Sequence, residues 1–303
     1  NDPEISVVVE VMGGRTPAKD YMMRAMAAGK HVVTANKDVI AEHLSELYGA
    51  ADENGVDFLY EASVGGGIPI IKPLKECLTA NRITEVMGVV NGTTNYMLTK
   101  MTEKHISYDA VLRRAQEKGY AEANPSADVD GLDAARKAAI LASLAFDTVV
   151  GFKDVSVEGI SHITEDDIEY GLNLGYVIKL LAVGRDTEDG LDIRVHPVFL
   201  PQTHPLGSVS GVFNAIFVRG NVIGDVMFYG RGEIATTFGR ADVSLKSVIQ
   251  ARRTEDGHAE IVAVTHVVPH AAASAAVKAL EALPVVREVR SLIRVADGRE
   301  DTL

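Results

Sequence analysis

The most specific chemical pattern in the chain is a run of carboxylates that leads into an apolar helix carrying one lysine. Four acidic side chains precede this helix: Glu122, Asp128, Asp130 and Asp133. The stretch from Ala138 to Phe146 has no charged residue, which predicts a helix buried on every side with Lys137 at the edge of a core. Asp133 and Lys137 are four residues apart, on one helix face.

Two interpretations fit this pair. The first is an exposed helix ion pair, worth only about 0.3 to 0.5 kcal/mol. In the second, Lys137 is withdrawn from water, which disfavours the charged form of a lysine, and the carboxylate aligns it for proton transfer. The predicted burial of the helix favours the second interpretation.

A second lysine follows the segment Thr34, Ala35, Asn36 at the end of a predicted strand. Ligands of open α/β sheets lie across the carboxyl ends of the strands, so Lys37 would stand beside such a ligand. It could equally be a surface lysine in the first turn of a helix, where the helix dipole mildly disfavours positive charge. The spacing leaves both possibilities open.

A third pattern surrounds the three consecutive glycines Gly65, Gly66 and Gly67, which follow Glu61. Glycines allow the backbone to approach a ligand or ion closely, although a flexible hinge would have the same composition. One carboxylate beside exposed carbonyls could bind a hard cation through oxygen alone. The absence of His and Cys from this segment argues against zinc.

These residues must be positioned by alternating strands and helices. Apolar runs at Ile5–Met12, His31–Ala35 and Val56–Ala62 predict three strands, separated by a helix ending near Gly29 and another over Val39–Asn54. This alternation predicts right-handed βαβ crossovers in a parallel sheet covered by helices on both faces.

From Ile68 to about Tyr229 the helices are longer and the strands come late, which indicates a second domain of α+β class. Thr164 and Asp167 have the spacing of a helix capping box. Extended runs at Tyr176–Gly184 and Leu191–Leu200 predict a hairpin.

The last part of the chain, after Ile234, predicts a short helix followed by the order β, β, α, β. The predicted elements are two strands, an Ala-rich helix and a final strand, at Ser244–Arg252, His258–Val268, Ala271–Leu283 and Val285–Val295.

The 303 residues suggest two or three domains, and 47% hydrophobic with 24% charged residues is typical of a globular protein. A net charge of −12 argues against nucleic acid as a partner. Cys77 is the single cysteine, and no apolar run reaches the roughly 18 residues of a membrane span. With no signal peptide recognised, these features predict a cytoplasmic protein that does not bind membranes.

The segment from Gly119 to Lys137 resembles the signature of the homoserine dehydrogenases. Five further segments resemble that family in the same order: Glu10–Gly14, Thr34–Lys37, Glu61–Pro69, Asn91–Asn95 and Ser208–Phe217. The resemblance implies interconversion of L-homoserine and L-aspartate 4-semialdehyde with NAD or NADP, in the biosynthesis of threonine and methionine. The part after Ile234 resembles the later part of an ACT domain, a small ligand-binding module.

The resemblance also implies roles for individual residues. Lys137 corresponds to the catalytic proton-transfer lysine, and Lys37 to a second lysine at the substrate and the nicotinamide. Three acidic residues match positions around the substrate: Glu122, Asp128 and Asp133. The cofactor site would include Gly13, Gly14, Lys37 and Gly232. A monovalent cation site, usually assigned to sodium, would comprise Glu61 with the carbonyls of Val64, Gly66 and Ile68.

The expected organisation is therefore α/β with three parts. Residues 1–67 form the remainder of a Rossmann-like dinucleotide-binding domain, residues 68–232 an α+β substrate and dimerisation domain, and residues 233–303 a partial ACT-like βαβ domain. The resemblance implies a homodimer or higher homo-oligomer, and threonine is the expected effector of the last part.

The sequence departs from the family in two places. No glycine-rich phosphate loop precedes Ile5, and the run Gly230–Ala235, which spells G-x-G-x-x-A, has no parallel βαβ unit around it and is interpreted as coincidental. We expect family residues to be missing before Asn1 and near Gly232–Ile234. A noncatalytic amino-acid-binding regulator and a different NAD(P)-linked oxidoreductase remain as alternatives.

Overall fold

The computed structural model describes residues 2–230, 245–253, 259–265, 270–282 and 289. The chain divides into two compact units, Asn1–Gly232 and Glu233–Leu303. Within the described residues, no helix is both long enough and apolar enough to cross a lipid bilayer.

The first unit begins with a parallel sheet in the order β1-β2-β3. Its elements follow the predicted alternation: β1 (Val7–Glu10), α1 (Ala18–Ala27), β2 (His31–Thr34), α2 (Lys37–Glu53) and β3 (Phe58–Leu59). The third strand is shorter than the predicted Val56–Ala62. Its chain turns at Tyr60 into a 3-10 helix, Glu61–Ser63, in which the Ser63 amide donates to the Tyr60 carbonyl.

The prediction that helices cover both faces of this sheet is wrong for the described residues. Helices α1 and α2 pack against each other on the face that buries Val32, whereas Val7 and Val9 on the other face are 47% and 63% exposed. The strand order explains the difference, because right-handed crossovers that continue in one direction place both helices on the same side of the sheet.

The rest of the first unit is built on a six-stranded sheet in the order β5-β7-β6-β4-β8-β9. Its strands are β4 (Ile83–Val89), β5 (Ser156–Val157), β6 (Tyr176–Thr187), β7 (Gly190–Pro201), β8 (Asn214–Gly220) and β9 (Gly224–Gly230). The pairs are antiparallel except for β5 with β7. The predicted hairpin is confirmed as β6 and β7, which turn at Glu188 and Asp189.

Five α-helices belong to the described residues of this part of the unit: α3 (Gly92–Lys104), α4 (Tyr108–Glu117), α5 (Ser126–Val129), α6 (Leu132–Ala145) and α7 (Glu165–Asn173). Thr164 caps α7 in the predicted capping box with Asp167. Helix α6 lies against strands β4, β6 and β7, and its residues Ala138 to Ser143 are all buried. The predicted burial of α6 is therefore confirmed.

The opposite face of the six-stranded sheet has its own smaller apolar cluster. Met87, Leu181 and Phe217 lie at its centre, and a 3-10 turn, Pro205–Ser208, covers one end through Leu206. None of the described residues in this cluster comes from an α-helix.

In the second unit, β10 (Leu245–Arg253) pairs antiparallel with β11 (Ala259–Thr265), and α8 (His270–Glu281) follows. These elements agree with the predicted order β, β, α. The predicted helix after Ile234 and the strand Val285–Val295 lie outside the described elements.

Candidate active site

Two lysines from different parts of the first unit converge on one carboxylate. The Lys137 Nζ atom donates to Asp133 Oδ2 over 2.6 Å, and the Lys37 Nζ atom lies 3.3 Å from Asp133 Oδ1. The Lys137 ammonium also donates to the Val90 carbonyl over 2.8 Å. The structure thus brings together three of the residues that the sequence singled out, and we call this group the lysine–carboxylate cluster.

Local sequence explains how α6 presents its share of the cluster. Helix α6 begins after Gly131, whose φ of +80° places it in the left-handed region that favours glycine. A Cβ atom there would also lie 3.2 Å from the side chains of Val157 and Val195. Asp133 and Lys137 follow on one face, and their side chains are only 11% and 15% exposed.

Lys37 is positioned by hydrogen bonds that join the ends of β1 and β2. The Thr34 hydroxyl donates to Glu10 Oε2 over 2.7 Å. Asn36 caps α2 by accepting from the Val39 amide, and its Nδ2 atom donates to the Gly14 carbonyl over 2.7 Å. Lys37 is the next residue, so its position at the strand ends depends on this network.

Asn91 is a site residue that the sequence reasoning did not assign. Its side-chain Nδ2 atom donates to Asp128 Oδ1 over 2.7 Å and to Asp133 Oδ2 over 3.0 Å, while its Oδ1 atom accepts from the Thr94 amide and caps α3. Asn91 is 6% exposed. The sequence analysis noted Asn91 only as part of the segment Asn91–Asn95 that resembles the family, and that segment gave no indication of the two carboxylates.

The two carboxylates that share Asn91 have opposite electrostatic environments. Burial alone would raise the pKa of Asp133, but the positive charges of Lys137 and Lys37 outweigh burial and lower this pKa to about 2. Burial raises the pKa of Asp128, and repulsion from Asp133 adds to that effect against the hydrogen bond from Asn91. Asp133 is consequently an anion throughout the neutral range.

The structure does not bring Glu122 into the cluster by a direct contact. Glu122 is exposed on the segment between α4 and α5, where its backbone carbonyl accepts from Gln116 Nε2. Among the described residues its carboxylate has neither an ion pair nor a hydrogen bond, so it is free to meet a ligand.

Gly13 and Gly14 follow the end of β1 with φ angles of +75° and +70°. Both are exposed, and no atom lies within 4 Å of where a Cβ would be. Their backbone is therefore accessible from solvent beside the strand ends. Gly232, the remaining glycine predicted at the cofactor, lies outside the described residues.

The Glu61 carboxylate is engaged by backbone amides. Its Oε1 atom accepts from Ile70 and Ile71, and its Oε2 atom accepts from Lys72, with distances of 2.6 to 2.8 Å. Three hydrogen bonds thus join the Glu61 carboxylate to the amides that lead into the π-helix Pro73–Cys77. Among the described residues, no group of three or more His, Cys, Asp or Glu side chains is arranged to hold a metal ion.

Comparisons with known proteins agree with the sequence motifs. The family model described as "Homoserine dehydrogenase" matches residues 69–243, and the model described as "Homoserine dehydrogenase, NAD binding domain" matches residues 1–61. The homoserine dehydrogenase of Synechocystis is 43% identical over 97% of this chain and 84% of its own length. That of Bacillus subtilis is 50% identical over 77% of this chain, which spans 54% of the relative.

The alignment with the Synechocystis enzyme has 367 positions, more than the 303 residues of the chain, so that relative has residues within the aligned span to which this chain has no counterpart.

Two solved structures extend the comparison. A homoserine dehydrogenase from Thiobacillus denitrificans, 34% identical, superposes with a TM-score of 0.75 over 94% of this chain and 80% of its own. A hyperthermophilic archaeal homoserine dehydrogenase in complex with NADPH, 32% identical, superposes with a TM-score of 0.66 over 75% of this chain and 66% of its own. With family models matching both parts of the first unit, the chain belongs to the homoserine dehydrogenase family, whose members are NAD(P)-dependent oxidoreductases.

Proposed function

We propose that this chain catalyses the reversible oxidation of L-homoserine to L-aspartate 4-semialdehyde with NADP or NAD, in the biosynthesis of threonine and methionine and in the cytoplasm. The convergence of Lys37 and Lys137 on Asp133 carries the proposal, because this chemistry needs a positioned proton acceptor next to a second cation.

Oxidation of the primary alcohol removes a proton from the hydroxyl group, which Lys137 would accept, and a hydride from the carbon. A bound nicotinamide cofactor would supply the acceptor of that hydride. Before reaction Lys137 must be a neutral amine. With Lys137 as the neutral amine, the positive charge of Lys37 and the negative charge of Asp133 balance each other.

In the reverse direction the Lys137 ammonium returns the proton to the carbonyl oxygen of the semialdehyde. The Val90 carbonyl and Asp133 direct the Nζ atom throughout. The positive charge of Lys37 stabilises negative charge that develops on the substrate oxygen, and the low exposure of the cluster strengthens this effect.

Glu122 and Asp128 suit the ammonium group of the substrate. Both carboxylates are close to the cluster in sequence. Glu122 is exposed to solvent, and Asp128 accepts a hydrogen bond from Asn91 through its Oδ1 atom. A prepositioned carboxylate requires little reorganisation when the substrate binds. Asp133, already compensated by two lysines, is the less suitable partner for a third cation.

The residues at the strand ends fit a dinucleotide. Gly13 and Gly14 leave their backbone open beside β1, and Lys37, with a side chain 34% exposed, stands at the end of β2. Ligands of open α/β sheets bind at this edge. Gly232 completes the proposed cofactor set.

We also propose a sodium ion at the glycine segment, held by Glu61 and the carbonyls of Val64, Gly66 and Ile68. The buried Ser63 hydroxyl, which has no hydrogen-bond partner among the described residues, supports an additional polar ligand here. The Glu61 carboxylate already accepts hydrogen bonds from three backbone amides. The backbone carbonyl of Glu61 is therefore the more suitable oxygen for the ion.

A homodimer through the α+β part of the first unit is the proposed assembly. The helix-free face of the six-stranded sheet is the candidate surface, because no α-helix contributes a described residue to its apolar cluster. A sedimentation experiment that finds a monomer at working concentration would contradict the dimer.

The proposed activity is tested by following NADPH or NADH absorbance with aspartate semialdehyde as substrate, and the reverse reaction with homoserine. Turnover of these substrates is the expected result. Binding of an amino acid without turnover would favour a regulatory protein, and turnover of other alcohols alone would favour a different oxidoreductase.

A further inference from the structure

A second ion pair lies beside the lysine–carboxylate cluster and joins the same two helices. Arg136 Nε is 2.6 Å from Asp38 Oδ1, and the two side chains are 17% and 31% exposed. Asp38 follows Lys37 at the start of α2, and Arg136 precedes Lys137 on α6. The two pairs are reciprocal, because α2 contributes the cation to one and the anion to the other.

Arg136 is held in place from the α6 side. Its Nη1 atom donates to the Leu132 carbonyl over 3.0 Å, one turn earlier in the same helix. Its guanidinium group lies over the Phe152 ring at 4.9 Å from the ring centre. The position of Arg136 is therefore determined by the α+β part of the unit, and Asp38 has to come to it.

Consecutive residues on a helix point in directions about 100° apart. Contacts from both Lys37 and Asp38 to α6 consequently fix the rotation of the first turn of α2 about its axis. A contact from Lys37 alone would fix only its distance from Asp133. This second constraint matters because the Lys37–Asp133 distance of 3.3 Å is the longer of the two contacts in the cluster.

We propose that Asp38 and Arg136 are positioning residues, which hold the Lys37 ammonium toward Asp133 without touching the substrate themselves. The proposal rests on the proposed function for its kinetic consequences. Its geometric consequence, the position of Lys37, is independent of activity.

The kinetic test uses Asp38→Asn and Arg136→Gln in the semialdehyde reduction assay. We expect kcat to fall about 10- to 100-fold, the range for a modest displacement of a catalytic group, and KM for both substrates to change less than about twofold. The double variant should be no slower than the slower single variant, because both changes break one interaction. Arg136→Lys, which keeps the charge, should recover part of the loss.

Glu42→Gln is the matched control. Glu42 is also on α2, is 27% exposed and forms an ion pair of 2.6 Å, but its partner is Arg15 and not a residue of α6. We expect its kcat to remain within about twofold of that of the unmodified chain. A kcat loss in Glu42→Gln equal to that in Asp38→Asn, or unchanged kcat in both Asp38→Asn and Arg136→Gln, would overturn the proposal.

A second measurement does not depend on turnover. Acetylation of Lys37 by a small amine-reactive ester, followed by peptide mass spectrometry, should be several-fold faster in Asp38→Asn than in the unmodified chain or in Glu42→Gln, since a displaced Lys37 is less protected by Asp133. Equal labelling in all three proteins would show that Asp38 does not position Lys37. An inactive unmodified chain would refute the proposed function alone, because the labelling result would still decide the positioning role.

Discussion

Asp133 holds the ammonium group of Lys137 at 2.6 Å from one turn earlier on α6, and the residues that follow, Ala138 to Ser143, are all buried. The pair is therefore fixed by the helix itself, and α2 only adds Lys37 to it. In the proposed reaction Lys137 transfers the proton and Lys37 stabilises charge.

Lys137→Ala should lower turnover by about 100- to 10,000-fold, the usual contribution of a general acid or base. Cofactor binding, measured by the fluorescence of NADPH, should be nearly unchanged because the strand ends of β1 and β2 are unaffected. Lys153→Ala, an exposed lysine outside the cluster, is the control. Near-normal turnover in Lys137→Ala would refute the assignment.

Asp133 should stabilise the fold in a pH-dependent way. Its pKa is lower in the folded chain than in the unfolded chain, so its contribution is complete above the unfolded value of about 4 and disappears as the pH falls toward 2. The difference in the free energy of unfolding between the unmodified chain and Asp133→Asn should shrink by about 2 kcal/mol across this window.

Urea unfolding at several pH values between 6 and 2 measures this difference. The exposed Asp130→Asn serves as the comparison. A difference that stays constant as the pH falls would mean that the two lysines do not stabilise the Asp133 anion.

Lys179 should give a second stability change of the same sign, in the alkaline range, because its pKa is also lower in the folded chain than in the unfolded chain. It is 4% exposed on β6, donates to Asn95 Oδ1 over 3.1 Å and to the Val209 carbonyl, and burial lowers its pKa from 10.5 to about 8. Between these values the unfolded chain binds more protons than the folded chain, so stability should rise with pH. This rise in the free energy of unfolding should be absent in Lys179→Met, and urea unfolding at pH 7.5 and pH 10 measures it. A rise of equal size in the unmodified chain and in Lys179→Met would contradict the prediction.

Local patterns in the sequence predicted the elements, because the period of a strand or helix and the residues at its ends are local properties. The hairpin of β6 and β7 and the buried helix α6 are examples. Contacts across the fold were not predictable in this way. Asn91 meets carboxylates 37 and 42 positions further along the chain.

Lys179 shows a second limit of the sequence. A lysine on a strand predicts a solvent-facing side chain. The Lys179 ammonium can be buried because α3 provides Asn95 Oδ1 as an acceptor and the segment after Pro205–Ser208 provides the Val209 carbonyl. The coverage of the three-stranded sheet by helices on one face likewise depended on strand order, which spacing alone does not reveal.

Exchange of sodium for a large organic cation should lower the thermal stability or the activity of the chain, since a large organic cation cannot replace the ion proposed at the carbonyls of Val64, Gly66 and Ile68. Thermal unfolding in sodium chloride and in tetramethylammonium chloride at equal ionic strength is the measurement. Restored stability on adding sodium back would exclude a general salt effect. Indifference to the exchange would favour a plain hinge, in which the Glu61 carboxylate only caps the segment that begins at Ile70.

The final prediction concerns residues 233–303, for which we propose an ACT-like regulatory role with threonine as the effector. The lysine–carboxylate cluster lies entirely within the unit Asn1–Gly232, so deletion of residues 234–303 should leave catalysis intact. Feedback requires threonine to bind one conformation more tightly than another, and a coupling of about 1 to 3 kcal/mol would give roughly 5- to 150-fold inhibition in the full chain.

Initial rates of the full chain and of the deletion variant, each with L-threonine and with D-threonine as control, measure this coupling. Loss of inhibition by L-threonine in the variant alone is the expected result. Inhibition that persists after deletion would place the effector site in Asn1–Gly232. The remaining outcome is a full chain that is insensitive to L-threonine and a deletion variant that sediments as a smaller species. Deletion would then change the assembly without changing the response to threonine, which would identify residues 234–303 as a dimerising segment.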